Sequence, residues 1–419
     1  MDRISRAARR RSRREEGKRI EWATLEEFAR LKIQGWLQRL LDEEVTDLLG
    51  RQKSERCALV DAAEGYRNGH GKPRRLGMTA GTVTVRRPRV RNLEERFESR
   101  ILPLFVRRTQ EVAGLLPQLY LHGLAQGDFE LALRGLLGDA APLSASSIER
   151  LRAKWQQEYA GWKSQRLEHL NVVYAWGDGL YVKAGLTDTK AALLVVIGAL
   201  RDGRKVVLAV ESGQRESKES WAGVLRDLRD RGLKPWKVTV ADGHLGIWSA
   251  LGEIFPSSEE QRCWNHRLTN VIDRMPKKEW PAARELLRKI PYAKSRAACE
   301  RLRDAFVARY RKAYPKAAET LCRDWERMVT FYRFPKAHWL HLRTSNVVES
   351  PFSAVRLRTD AAKRYKKVAN AEALIWKILL IAEKKFRCLN APKLLEAVYA
   401  GTKFADGVAL KVTQRRLAA

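Results

Sequence analysis

Residues 171 to 266 constrain the fold more than any other part of the chain. Segments that read as strands occur at 172–182, 191–200, 205–211, 236–240 and, briefly, 260–264. The first three are joined around Thr187-Asp188 and Asp202-Gly203, by links short enough for hairpins. Helical patterns then intervene at 218–231, closed by Gly232, and at 246–254, stopped before Pro256. Another helix follows the fifth run. Three antiparallel strands followed by alternating helix and strand predict an α/β fold, a mixed five-stranded sheet covered by helices.

Two carboxylates stand out against this frame. In the first strand the even positions are Val172, Tyr174, Trp176, Asp178, Leu180 and Val182, so one face is apolar except for a single acid. An uncompensated buried charge is costly. A metal cation would compensate it; a bulge at Gly177 or Gly179 would instead turn Asp178 to solvent. Asp242 follows the carboxyl end of the fourth strand, the edge at which open sheets bind ligands. An Asp-Gly pair also serves ordinary turns and helix caps. If strands one and four are neighbours, both acids approach one point, and like charges that close call for a divalent cation.

A third acid is expected from a helix after the fifth strand. Glu279, Glu285, Glu300, Glu319 and Glu326 mostly lie in Lys- and Arg-rich runs that read as solvated helical faces. Glu349 differs. It follows Ser345-Asn346-Val347-Val348, a mix suited to packing on the sheet, and Arg343, Arg356 and Arg358 flank it as phosphate chemistry would want. Cys263 and His266 form a Cys-x-x-His pair, and His338 and His341 a His-x-x-His pair, with passable zinc-ligand spacing. The gap between the pairs is long and lacks a glycine-rich knuckle, so packing or support of a neighbouring site is the expectation.

Charge restricts the partner. Lys and Arg number 81 against 49 Asp and Glu, a formal net charge of +32. A polyanion is implied, nucleic acid first. A membrane fits less well, because no run approaches the roughly 18 apolar residues of a span. No apolar segment follows the Arg-rich residues 3–19, so no secretory signal is expected. The five scattered cysteines suit a reducing cytoplasm.

Residues 1–20 read as a basic disordered arm. Residues 21–165 read as a mainly helical DNA-binding region with a small β segment near 80–90. Within it 24–49 is helical, 65–70 a turn, 81–91 a strand ending in basic residues, and 111–155 helical again. A final helix over 148–162 is capped by Ser144 or Ser146. A helix-turn-helix and a plain bundle both suit this region. The catalytic core covers 166–266 and 335–360, a helical insertion 267–334, and a basic helical tail 361–419.

The sequence resembles the Mutator-type transposases of bacterial insertion sequences, relatives of the plant Mutator elements. The matching segments are Tyr66-Arg67-Asn68-Gly69, 82–89, the Asp178 strand, 197–203, Glu219-Ser220-Trp221-Ala222 and 228–233. They continue with Ala241-Asp242-Gly243-His244, 261–266 and 341–350, in the family's order over residues 30 to 390. The resemblance implies a ribonuclease-H-like core, whose element order matches the one above, with a DDE catalytic triad of Asp178, Asp242 and Glu349. These would also hold the metal, Mg²⁺ or Mn²⁺ as two ions, for in-line displacement at phosphorus. Cys263, His266, His244 and Asn346 would support the site. Arg67, Arg86, Arg87, Arg89, Arg343, Arg356 and Arg358 would contact DNA. Pro351, just after Glu349-Ser350, departs from an uninterrupted helix, and 359–367 is unusually basic.

The expected function is therefore DNA transposition. The expected partners are the element's terminal inverted repeats and target DNA, engaged by a homodimer, with no membrane, at the nucleoid in the cytoplasm. Two other readings compete. One is a ribonuclease-H-like nuclease or resolvase that cuts without joining. The other is a non-catalytic DNA-binding protein derived from a transposase.

Overall fold

The structure, a computed structural model, describes residues 22–55, 65–124, 128–137, 146–184, 190–213, 215–243 and 245–410. The expected basic arm 1–20, the link at Thr187-Asp188, Ser144 and His244 lie outside them. The chain divides into two compact units, Met1–Tyr120 with Leu124–Glu149, and Leu121–Gly123 with Arg150–Ala419.

In the first unit, α1 (Leu25–Leu49) ends at Gly50, whose left-handed φ of 60° closes the helix. Four strands follow: β1 (Tyr66–His70), β2 (Arg74–Met78), β3 (Gly81–Val85) and β4 (Pro88–Arg91). β1 pairs with β4 and β2 with β3, both antiparallel. Residues 65–70, expected as a turn, are mostly strand. Pairing with the distant β4 satisfies their backbone, and Gly69, at φ 63°, lies in the register irregularity between Arg67 and His70. The run 81–91, expected as one strand, is two. Between them the Gln38 side chain accepts from Arg86 N (2.8 Å) and donates to its carbonyl (2.9 Å). Leu41 of α1 packs with Leu76, Val83, Val85 and Leu102 in a small apolar core. The helices α2 (Gln110–Leu121), α3 (Phe129–Leu137) and α4 (Ser146–Lys163) come next in the chain.

The second unit is built on β5 (Val172–Lys183), β6 (Lys190–Leu200), β7 (Lys205–Gly213), β8 (Val238–Ala241) and β9 (Glu259–Arg262), with α5 (Lys218–Asp230) and α6 (Leu245–Ile254) in the connections. These five strands form one sheet in the order β7-β6-β5-β8-β9. β6 is antiparallel to β5 and β7; β8 is parallel to β5 and β9. The fold is thus a mixed α/β arrangement on a five-stranded sheet, as expected. Strand four starts at Val238 rather than at Trp236, whose buried indole donates to Thr239 Oγ1 (2.7 Å).

The two faces of β5 have different tasks. Ala175 joins a core with Trp221, Leu225, Ile247 and Leu251 from α5 and α6. On the other face, the Tyr174 hydroxyl pairs with His338 Nδ1 (2.8 Å), and Trp176 Nε1 donates to the His341 carbonyl (2.9 Å). That face therefore meets the segment leading to Glu349.

After β9 come α7 (Trp264–Ile272), α8 (Trp280–Lys289), α9 (Arg296–Tyr310), α10 (Pro315–Cys322) and α11 (Trp325–Val329). Next are α12 (Trp339–Leu342), α13 (Asn346–Glu349), α14 (Phe352–Ala362), α15 (Val368–Glu383) and α16 (Lys393–Tyr399). The tail, expected as helical throughout, finishes on a hairpin of β10 (Phe404–Ala405) and β11 (Val408–Ala409). Its turn is Asp406-Gly407, both at positive φ, the dipeptide and geometry a tight hairpin favours. Among the described residues no helix is long and apolar enough to cross a membrane.

Gly177 directly precedes Asp178, and a Cβ there would lie 2.9 Å from Ile247 Cδ1 and 3.3 Å from a Trp221 ring carbon. Gly177→Ala is expected to overpack this contact and to lower stability by about 1–3 kcal/mol, read as a shift of the urea unfolding midpoint.

Candidate active site

Register brings the first two acids together. The last parallel pair of β5 and β8 is Gly177 with Ala241, so Asp178 and Asp242 are the next residues on adjacent strands. The register of β5 against β6 is unbroken from Tyr174 to Lys183. The bulge weighed at Gly177 or Gly179 is absent, and Asp178 keeps the face of Tyr174 and Trp176. One of its oxygens accepts from Gly179 N (2.8 Å).

Glu349 comes to the same edge on α13. This helix stops at once, and Ser350-Pro351 separates it from α14, which Pro351 begins at φ −67°. Proline thus breaks the helix just beyond the acid, because the ring cannot continue the hydrogen-bond ladder. The Ser345 hydroxyl donates to Glu349 Oε1, and Glu349 N donates to the Ser345 carbonyl (3.1 Å).

His266, on the first turns of α7, lies between two of the acids. Its Nδ1 is 3.4 Å from Asp242 Oδ1 and 3.8 Å from Glu349 Oε1. A hydrogen bond with Cys263, then the charges of Asp242 and Glu349, push the imidazole up to about 9 against the opposing effect of burial. Asp178 is pushed up to about 7, chiefly by burial, with the Glu349 and Glu216 charges adding. Cys263, His266 and Glu349 each bring a possible ligand atom within 4.8 Å of the others, so this group could hold a metal ion. The His338/His341 pair does not join it. His338 pairs with Tyr174, and His341 Nε2 accepts from Asn390 N (3.3 Å).

Carboxylates are the donors a divalent cation takes, and the cluster whose ligand atoms lie within 4.8 Å adds a thiol and an imidazole to one of them. Three carboxylates approach one sheet edge, one of them is forced toward its neutral form, and the adjacent imidazole is driven toward its charged form. The Asp178 shift comes from burial first and the Glu349 and Glu216 charges second, the His266 shift from the Cys263 hydrogen bond first and the Asp242 and Glu349 charges later; a divalent cation would relieve the carboxylate share of both.

The other anticipated residues are distributed more widely. Asn346 accepts from the Asn265 side chain (3.1 Å) beside the site. Arg86, Arg89 and Arg356 are exposed. Arg87 donates to the Phe97 carbonyl (3.2 Å), and Arg67 to the Arg51 carbonyl (3.0 Å) and Thr46 Oγ1 (2.7 Å). Arg343 is packed over the rings of Tyr292, Phe331 and Trp339, at 4.7, 5.3 and 5.7 Å. Arg358 is only 2% exposed. It shares a buried face of α14 with Phe352 and Val355.

Three residues escaped the sequence reading. Ser345 orients Glu349 from four positions earlier. Arg262 Nε donates to the Asp242 carbonyl (2.9 Å). Glu216 lies so close to Gly179 that a Cβ there would fall 2.4 Å from its Oε1. The first two sit inside the segments that carried the resemblance; no local signal marks Glu216.

Comparison with known proteins decides the family. The family described as "Transposase, Mutator family" matches residues 7–387. The chain belongs to the Mutator family of transposases. It is 41% identical over 293 residues to the transposase for insertion sequence element IS6120 of Mycolicibacterium smegmatis, covering 70% of this chain and 91% of that one. It is 38% identical over 284 residues to the transposase for insertion sequence element IST2 of Acidithiobacillus ferrooxidans, covering 67% and 96%. A more distant relative is the transposase for IS256 in transposon Tn4001 of Staphylococcus aureus, 22% identical over 86% of this chain and 91% of that one. This member of the Mutator family is thus a DNA transposase.

The raised carboxyl of Asp178 gives this transposase a pH-dependent stability. Below 3.8 the group is protonated whether the chain is folded or not. Between 3.8 and about 7 only the folded chain keeps the proton, so stability falls as pH rises across this window. With a chelator present, Asp178→Asn is expected to be more stable than wild type above pH 7, the difference shrinking as pH falls toward 3.8. Urea titrations across the window check this; parallel curves for the two proteins would contradict it.

Proposed function

We propose that the chain cleaves and joins the ends of its insertion sequence through a three-carboxylate site of Asp178, Asp242 and Glu349 on a ribonuclease-H-like core. The observation that carries this reading is the convergence of Asp242 and Glu349 on His266, with Asp178 next to Asp242 in register. The sheet order, with three antiparallel strands and then two parallel ones, supports the core assignment. The names of the relatives support insertion-sequence ends as the substrate.

Asp178, Asp242 and Glu349 would hold the cation, Mg²⁺ or Mn²⁺, as a pair of ions when DNA is bound. The ions would supply Lewis acidity to an in-line displacement at phosphorus, with water attacking in cleavage and a DNA 3′-hydroxyl in joining. The protein's own residues prepare the site. Ser345 fixes the Glu349 carboxylate, and Arg262 fixes the Asp242 backbone. His266 offsets the carboxylate charge while no cation is bound, and Cys263 orients the imidazole. A covalent protein–DNA intermediate is not required.

The first unit is proposed to bind the terminal repeats, mainly through phosphates, with Arg86 and Arg89 on its exposed β segment. Two protomers would pair the two ends. The net charge of +32 supports binding that weakens steeply with salt.

The test is strand cleavage and joining on DNA carrying the element's ends, with Mg²⁺. Asp178→Asn, Asp242→Asn and Glu349→Gln are each expected to lower both steps by roughly two orders of magnitude or more while DNA binding persists. Full activity in any variant removes that residue from the site. Cleavage without joining in wild type identifies a nuclease instead. Equal, undiminished activity without added divalent metal and with a chelator would sink the cation assignment.

A further inference from the structure

An anion site is indicated by guanidinium charge that carboxylates among the described residues do not match one for one. Asp324 precedes α11 with a left-handed φ of 54°. Three guanidinium groups converge on its carboxylate: Arg262 at 3.1 Å, Arg267 at 3.6 Å and Arg327 at 3.8 Å. Arg327 has a second partner in Glu260. Arg262 and Arg267 have no other carboxylate among the described residues, and their side chains are 14% and 1% exposed. Arg267 donates to the Thr320 carbonyl, but its Nε and Nη2 are buried and make no hydrogen bond. Burial, then the like charge of Arg262, pulls its guanidinium down to about 10.

The same two arginines form the wall of an open cavity of about 550 Å³, together with Arg274, Lys316 and Arg323. The wall carboxylates are Asp273 and Glu319, and Glu319 is already paired with Arg323 at 2.9 Å. Arg274 and Lys316 make no ion pair among the described residues. Arg262 and Arg267 supply charge that solvent screens poorly, behind a rim of exposed cations. The volume admits a phosphodiester group with its flanking sugars and is too small for a folded partner.

The cavity also adjoins the carboxylate site. Arg262 reaches from its wall to the Asp242 carbonyl. Gly243 makes this approach possible: its φ is 102°, and a Cβ there would fall 2.2 Å from Arg262 Nε.

We propose that this cavity binds one backbone phosphate of the DNA strand being processed, held by Lys316, Arg323 and Arg274, with Arg262 linking the occupied cavity to Asp242. The inference rests on the DNA-processing reading above and adds a positioning subsite to it. Binding there would fix the strand relative to the carboxylates, so that an off-site phosphate contact sets where the cut falls.

The experiment uses the full chain and duplexes carrying the element's ends. In each duplex one phosphate near the cleaved bond is replaced by a neutral methylphosphonate. Wild type is compared with the rim variant Lys316→Glu/Arg323→Glu and with Lys277→Glu/Lys278→Glu, an equal charge change on an exposed turn outside the cavity. Circular dichroism and urea midpoints establish that all three are folded. The expected result is one methylphosphonate position that weakens binding by wild type and by the 277/278 variant but not by the rim variant. The rim variant should also show a salt slope lower by about one. Identical position profiles for all three proteins overturn the inference while leaving the DNA reading intact. Failure of wild type to bind any of the duplexes overturns the DNA reading and the inference together. If inorganic phosphate stabilises wild type but not the rim variant and the DNA profiles are identical, the cavity takes a small free anion, and the DNA assignment is wrong.

Discussion

The parallel register of β5 against β8 is the constraint on which the rest depends. Once Gly177 pairs with Ala241, Asp178 and Asp242 must emerge as neighbours. Burial there raises the cost of ionising Asp178, and the charges of Glu349 and Glu216 add to it. Hydrogen bonding along the sheet holds them there regardless, because moving either acid would mean breaking the ladder of a central strand. The local electrostatics are therefore unfavourable by construction, and the positive charge of His266 only partly offsets them.

The third acid reaches this edge through a set of short tethers. Cys263 N donates to the Ala241 carbonyl (2.8 Å), and Trp264 N to the Arg343 carbonyl (2.9 Å). Ser345 N then donates to Cys263 Sγ (3.4 Å). The end of β9 thus carries residues 343–349 along the edge of the sheet. Cys263, fully buried, acts here as an acceptor within the tether as well as a partner of His266. Arg343, anticipated as a phosphate contact, is enclosed by aromatic rings, and its cation–π contacts anchor the same segment. The helix α13 ends at Glu349, and Pro351 precedes the first residue of α14.

Much of the central sheet was legible because its signals are local. Five strand segments and the helices between them appear at nearly the expected positions. Misreadings arose where pairing partners are distant or where a turn was overlooked. Tyr66–His70 contains Asn68-Gly69 and reads as a turn, yet β4 captures it as a strand. Asp406-Gly407 is a hairpin signal that a basic, helical-looking tail concealed. Arg358 shows a related limit: a basic residue near an acidic site invites a role in DNA contact, but only the rotation of α14 decides that it is buried.

By itself the sequence determined the order of the elements, the positive charge that calls for a polyanion, and the presence of Asp178, Asp242 and Glu349 in suitable surroundings. These depend on side-chain pattern and composition, which are properties of the linear chain. Tertiary structure alone decided which acids share an edge and which cations remain for a ligand. Ser345, Arg262 and Glu216 acquire their places from contacts across long stretches of chain. The imbalance around Asp324 likewise emerges only when α7 and α11 bring their charges together, since burial and mutual distance, not residue count, decide which charges are compensated.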